Sequence, residues 1–381
     1  MRTLLFTGPG GSGTTTLAAS AAVRAARAGR RTVLLSRQET PVAGLDAVPG
    51  LEIVRVDPQA ALERLWRAVL GGVGDAVPQL TLPPSSSVLP LPGTAELALF
   101  AELARADADL VVVDAGPIDS SSLLVALPAT LRWWLAQVMP PGMRALAAVR
   151  TAALASGTAR RGPLDAALGV VPAVEALLAT DRLAVPGDTA ICFVALPRRA
   201  SAPALRTAAT ALGLHGRRAC AVLARVGPTD GPGEWGARRG AEQDAALTAL
   251  AEVAPVHRVP EDADAPEDVD RLAALLEGFE PVPVPVAEPC AERRDGAWQL
   301  TVGLPFAERG AVGLTRWVDD LVITAGDARR CLRLDALLRR CEVTGGRLAD
   351  AGTPDARLQV GFRPDPQLWP ADLLAAEERT P

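Results

Sequence analysis

The stretch TLLFTGPGGSGTTTLAAS, residues 3–20, decides the reading of this chain. An apolar run ends in a cluster of glycines and passes straight into LAASAAVRAARAGRR (17–31), which is Ala-rich, helix-prone and stopped near Gly29. Strand, glycine loop and helix together form the layout of a phosphate-binding loop. Glycines let backbone amides converge on an anion, and the helix N-terminus adds a favourable dipole. The spacing GxxxxGK[ST] fits Gly8 and Gly13, with Thr14 at the lysine position and Thr15 at the magnesium-binding hydroxyl. The candidate phosphate contacts are Gly8, Gly10, Gly11, Ser12, Gly13, Thr14, Thr15 and Thr16.

Outward from the loop, strand and helix patterns alternate. TVLLS (32–36), LEIVRV (51–56), LVVVD (110–114), TAICFVAL (189–196) and CAVLARV (220–226) are short, apolar and strand-like, with helices expected at 96–106 and 201–213. Continuous apolar runs suit parallel strands covered on both faces, so the expected fold is a doubly wound α/β sheet over residues 1–280. Residues 129–187 break the alternation and read as a helical insertion, and 67–93, rich in Gly, Pro and Ser, as a mobile loop. GPGEWG (231–236) reads as a surface turn. A Pro-rich linker follows at 281–294, then closely spaced alternating strands at 295–364 that suggest a small β-sandwich, then a tail at 365–381.

Composition narrows the function. Net charge is −5, which disfavours nucleic acid as a partner. No apolar run is long enough for a spanning helix, and MRTLLFTGPGG is too short an apolar stretch for a secretory signal, so a cytoplasmic protein is expected. All 39 basic residues are arginine; there is no lysine, asparagine or tyrosine, which excludes chemistry needing a lysine amine. The five cysteines form no CxxC pair, and Cys192 and Cys220 read as small hydrophobes on core strands. His215 and His257 read as structural, and Arg37 as a solvated loop charge.

Several ordered motifs carry a resemblance. The glycine loop, VDPQAALE (56–63), PGTAELALFAEL (92–103), DAGPIDSSSLLVALP (114–128) and AVLARVGP (221–228) resemble the deviant Walker A ATPases of the arsenite-pump (ArsA) and GET tail-anchored-protein targeting family. WQLTVGLPF, DDLVITAG, RRCLRLDALLRRC and LQVGF, between 298 and 362, resemble the small heat-shock (α-crystallin-like) domain appended to some bacterial members. The resemblance implies ATP or ADP with magnesium as cofactor, Thr15 and Asp114 as metal contacts, a homodimer or a heterodimer with a related ATPase, and a hydrophobic protein client. Peripheral membrane association is left open.

The departures from the family are pointed. Its intermonomer lysine is Pro9 here, its loop lysine is Thr14, its switch I aspartate is Gln38, and its adenine-reading asparagine is Ala224. Asp114 remains, while Asp119 and Ser120 stand where glycine and histidine are usual. Losing charges that meet a phosphoryl-transfer transition state costs roughly 10³–10⁵ in rate. The expectation is therefore a degenerate, weakly nucleotide-binding or non-catalytic subunit, with Asp114 the one candidate for a catalytic role and Trp133, Trp134 and Met139 candidates for a client groove. Two alternatives stand beside it: an active ATPase coupled to anion transport or membrane-protein targeting, and a small-heat-shock-like interaction protein.

Overall fold

The computed structural model describes residues 2–73, 83–139, 174–229, 233–294 and 297–369, with isolated positions between 142 and 172. Seven strands, β1 (Thr3–Gly8), β2 (Thr32–Ser36), β3 (Leu51–Arg55), β4 (Leu110–Pro117), β5 (Thr189–Ala195), β6 (Ala221–Val226) and β7 (Val256–Pro260), form one parallel sheet. Their order is β3-β2-β4-β1-β5-β6-β7, so β1 lies between β4 and β5. In such a sheet ligands bind beyond the carboxyl ends of the strands, where the strand order reverses. The glycine loop leaves β1 at that point.

Helices α1 (Thr14–Arg27), α2 (Pro58–Val73), α3 (Thr94–Arg105), α4 (Ile118–Val138), α5 (Ser201–Leu214), α6 (Gly233–Ala251) and α7 (Val269–Ala274) flank the sheet. Side chains alternate across each strand, so the sheet builds two cores. Leu4, Phe6, Val112 and Val194 pack with Leu17 and Ala22 of α1 on one face. Leu5, Val111, Val113 and Phe193 pack with Phe100, Leu103 and Leu124 on the other. Gly8 closes β1 against its neighbour: a Cβ there would lie 2.0 Å from the Val194 carbonyl oxygen, so only glycine fits.

Three local expectations change. The segment read as a mobile loop from 67 begins as helix, since α2 continues to Val73, and Ser85–Ser87 forms a 3₁₀ turn; residues 74–82 lie outside the described residues. Helix α4 runs unbroken through 129, where the helical insertion was placed, with buried Pro128 inside it. Its packing against α3 and α5 holds the helix across the proline; most of 140–173 lies outside the described residues. The GPGEWG stretch, expected as a surface turn, is instead the first turn of α6 over its described part, Gly233 to Gly236; residues 231–232 lie outside the described residues.

The C-terminal region is a sandwich of two antiparallel sheets. One contains β10 (Val312–Trp317), β11 (Asp320–Ala325) and β12 (Ala328–Arg333). The other has the order β13 (Cys341–Ala349), β14 (Arg357–Pro364), β9 (Ala297–Gly303) and β8 (Ala291–Arg294). Leu300, Val302, Leu321, Ile323, Val360 and Phe362 fill the space between them.

The two regions exchange core residues. Leu214, the last residue of α5, is wholly buried within the sandwich core, while Phe306 packs into the core of the α/β region. Each such burial contributes about 1.5–3 kcal/mol. Hydrogen bonds fix the joint: Thr210 Oγ1 donates to the Pro305 carbonyl at 2.7 Å, and Arg330 donates to the Leu214 carbonyl at 2.7 Å. Among the described residues, no helix is long and apolar enough to cross a membrane.

Candidate nucleotide site

The loop is shaped for an anion. Gly11 and Gly13 take positive φ, +77° and +91°, and α1 begins at Thr14 with no side-chain cap over its first turn. Of the loop amides, that of Ser12 is committed to the Pro9 carbonyl at 3.1 Å. Those of Gly10, Gly11 and Gly13 donate to no protein acceptor among the described residues. The first helical amides are unpaired by helix geometry. Converging free amides at a helix N-terminus fit the phosphates of a nucleotide. No flexible ammonium sits in this cradle: the Thr14 hydroxyl, where a lysine would project, lies 3.1 Å from Ser12 Oγ in a buried contact.

The switch positions gather around Asp114, buried within β4. Its Oδ2 lies 2.7 Å from Thr15 Oγ1 and 2.8 Å from Ser36 Oγ, and its Oδ1 accepts from the Gly116 amide at 3.2 Å. Thr15 Oγ1 also lies 3.2 Å from Gln38 Oε1; its single proton serves the shorter contact, to the carboxylate. Ser36 Oγ in turn accepts from the Gln38 amide at 3.0 Å. Thr15 and Asp114 are thus in direct contact, and Gln38 reaches the same point. Among the described residues no group of three or more His, Cys, Asp or Glu side chains converges on a cation site. A magnesium ion here would be held by one hydroxyl and one carboxylate, with water and phosphate completing its shell, which suits that metal.

Two arginines stand near these elements, Arg37 by Gly116 at the end of β4 and Arg225 by the glycine loop. Arg37 is not a solvated charge: it lies 3.8 Å from Glu96, donates to Ser120 Oγ at 3.4 Å, and would press on a Cβ at Gly116. Arg225, on β6, comes within 3.0 Å of the Cβ direction of Gly13 and pairs with Glu261 at 3.0 Å. Sequence reading missed Arg225 and Ser36. Arg225 directly follows Ala224, the position of the family's adenine-reading asparagine, and Ser36 opens the switch I stretch; both positions were the available signals.

The three client-groove candidates lie near the end of α4. Trp133 and Trp134 meet edge to face at 4.9 Å between ring centres. Trp133 Nε1 donates to Asp320 of the sandwich at 3.2 Å, Trp134 is 56% exposed, and Met139 is buried. Leu123 and Val138 of the same helix are also exposed.

A parallel sheet with a glycine loop at its central strand, followed by an antiparallel sandwich, defines a phosphate-loop NTPase-type domain with an appended β domain. Residues 1–216 match the family model described as anion-transporting ATPase (ArsA), and residues 295–362 match the HSP20-like domain found in ArsA. The chain belongs to the ArsA anion-transporting ATPase family. It is 37% identical to an uncharacterized protein of Streptomyces coelicolor, over 97% of this chain and 99% of that protein. It is 30% identical to a protein of Mycobacterium tuberculosis, over 97% of each. Identity to an arsenical pump-driving ATPase of Escherichia coli is 27% over 33% of this chain and 25% of that protein.

Proposed function

We propose that this chain is a degenerate ArsA-type subunit that binds nucleotide weakly, hydrolyses it negligibly on its own, and serves a dimer that handles hydrophobic protein clients in the cytoplasm. The observation that carries the reading is Thr14, whose hydroxyl is spent on Ser12 where the family projects a lysine into the phosphate cradle. Pro9 removes the lysine that would enter a partner's site, and Gln38 cannot serve as a carboxylate toward water. The amide cradle remains, which supports residual phosphate affinity; exposed Leu123, Trp134 and Val138 on α4 offer an apolar surface for a client or partner.

Steady-state phosphate release by the pure protein should match a buffer blank, and titration calorimetry with magnesium ATP or ADP should give weak binding. Turnover near the enzyme median of about 10 s⁻¹, abolished by Gly13→Val, would overturn the reading. One observation favours the active-ATPase alternative: Arg225 stands against Gly13 and supplies a cation from β6. On that alternative Arg225→Gln should abolish hydrolysis.

A further inference from the structure

Between the two regions lies a cavity of about 400 Å³, remote from the glycine loop in sequence and lined from both sides of the joint. Helix α5 ends in a tight turn. The Gly216 amide bonds back to the Gly213 carbonyl at 2.9 Å and the Arg217 amide to the Leu212 carbonyl at 2.9 Å, with Gly216 at φ +69°. That left-handed glycine ends the helix and puts His215 and Arg217 on the cavity wall. From the sandwich, Arg330 reaches the same wall, anchored by its bond to the Leu214 carbonyl.

Arg132, Arg217, Arg330 and Arg333 face the carboxylates Asp181, Glu288 and Asp335 across this lining, with Glu288 acting on Arg330, so positive charge is in excess. Arg217 is 8% exposed, and among the described residues its buried Nη1 has no hydrogen-bond partner and no carboxylate lies within ion-pair distance of the side chain. The nearest acid that acts on it, Asp181, is already spent: its Oδ2 accepts from Arg132 at 2.9 Å and its Oδ1 from the Leu183 amide at 2.8 Å. His215 Nε2 is likewise buried and unpartnered. Burial, then the fields of Arg330 and Arg217, hold its pKa down to about 4, so the ring is neutral. A buried guanidinium without a counter-ion is costly, and a polar cavity beside it offers the place for one.

We propose that this cavity is a binding site for a small oxyanion, a phosphate or carboxylate group of a metabolite, held by Arg217 and Arg330, with His215 on the wall beside them. Planar guanidinium groups match both oxyanions bidentately, so the two share one recognition chemistry. Because Arg217 follows α5 and Arg330 lies on β12, the ligand would bridge the joint and tighten it.

The test uses the full chain carrying His257→Gln, which leaves His215 as its sole imidazole. Inorganic phosphate, sulfate and succinate are titrated separately while the imidazole ¹⁵N resonances are recorded. Because His215 lines this cavity, phosphate resting in the glycine loop does not register. The expected result is a saturable shift with at least one probe, weakened about tenfold or more by Arg217→Gln and by Arg330→Gln. Response to phosphate and sulfate points to a phosphorylated ligand; response to succinate points to a carboxylate. No shift with any probe up to tens of millimolar, or a shift matched by sodium chloride at equal ionic strength, overturns the proposal. Should Arg217→Gln fail to fold, the titration of the parent chain against chloride decides alone.

Discussion

Replacing a loop lysine by threonine changes geometry as well as charge, because a short hydroxyl satisfies itself locally while an ammonium must reach outward. Thr14 bonds to Ser12, and around Asp114 the same economy holds: Thr15, Ser36 and the Gly116 amide are all satisfied by one carboxylate. Asp114 therefore ties α1, β2 and β4 together. Asp114→Ala should lower stability by about 1–3 kcal/mol, since it orphans buried donors; urea unfolding without nucleotide measures it, and an unchanged midpoint would contradict the role. The loop residues were legible in the sequence because a local spacing defines them. Arg225 was not, since it approaches Gly13 from a strand more than 200 positions later. Nor was the anchoring of Arg37, which depends on Glu96 and Ser120 in two distant elements.

At the scale of elements, β1, β2, β4, β5 and β6 were readable because each is a largely apolar, largely buried run, whereas β7, whose VHRVP mixes polar and apolar residues, was not read as a strand. Boundaries failed where composition misled: α4 tolerates Pro128 because tertiary packing outweighs the lost backbone bond, and α6 starts in a Gly-rich stretch. Strand pairing also changes the reading of two cysteines. Cys192 on β5 and Cys220 just before β6 were read as separate small hydrophobes, and the sheet brings their sulfurs to 3.5 Å. Burial and the contact with Cys220 raise the Cys192 thiol pKa, and the contact with Cys192 lowers that of Cys220. Thiolate, not thiol, is the nucleophile. Iodoacetamide followed by peptide mass mapping should therefore modify exposed Cys290 first, then Cys220, with Cys192 spared until the protein unfolds. Labelling of Cys192 as fast as Cys290 would refute this order.

At the scale of the whole molecule, stability against acid depends on the joint. The pKa of His215 is depressed from 6.5 to about 4 by burial first, then by Arg330 and Arg217. A histidine held neutral in the folded state and free to protonate in the unfolded state favours folding above the unfolded pKa. That contribution, on the order of 3 kcal/mol, is lost as pH falls from about 6.5 to about 4. His215→Gln should flatten the acid limb of a stability–pH profile in that window; an unaltered profile would show that the ring is not held neutral. The sandwich itself was legible from alternation in its strands. Its fusion to α5 was not, because a single leucine at a helix end carries no sign of the core it will enter.

The crossed placement of Leu214 and Phe306 bears on how the protein is made. Synthesis runs from the N-terminus, and domains generally fold as units in that order. Here the first unit emerges with a greasy peg standing free and a hole still waiting for an aromatic ring. Both are resolved only when the second unit has left the ribosome and docked. A copy cut short between them would keep both defects, an exposed leucine and an unfilled core, for as long as it lasted.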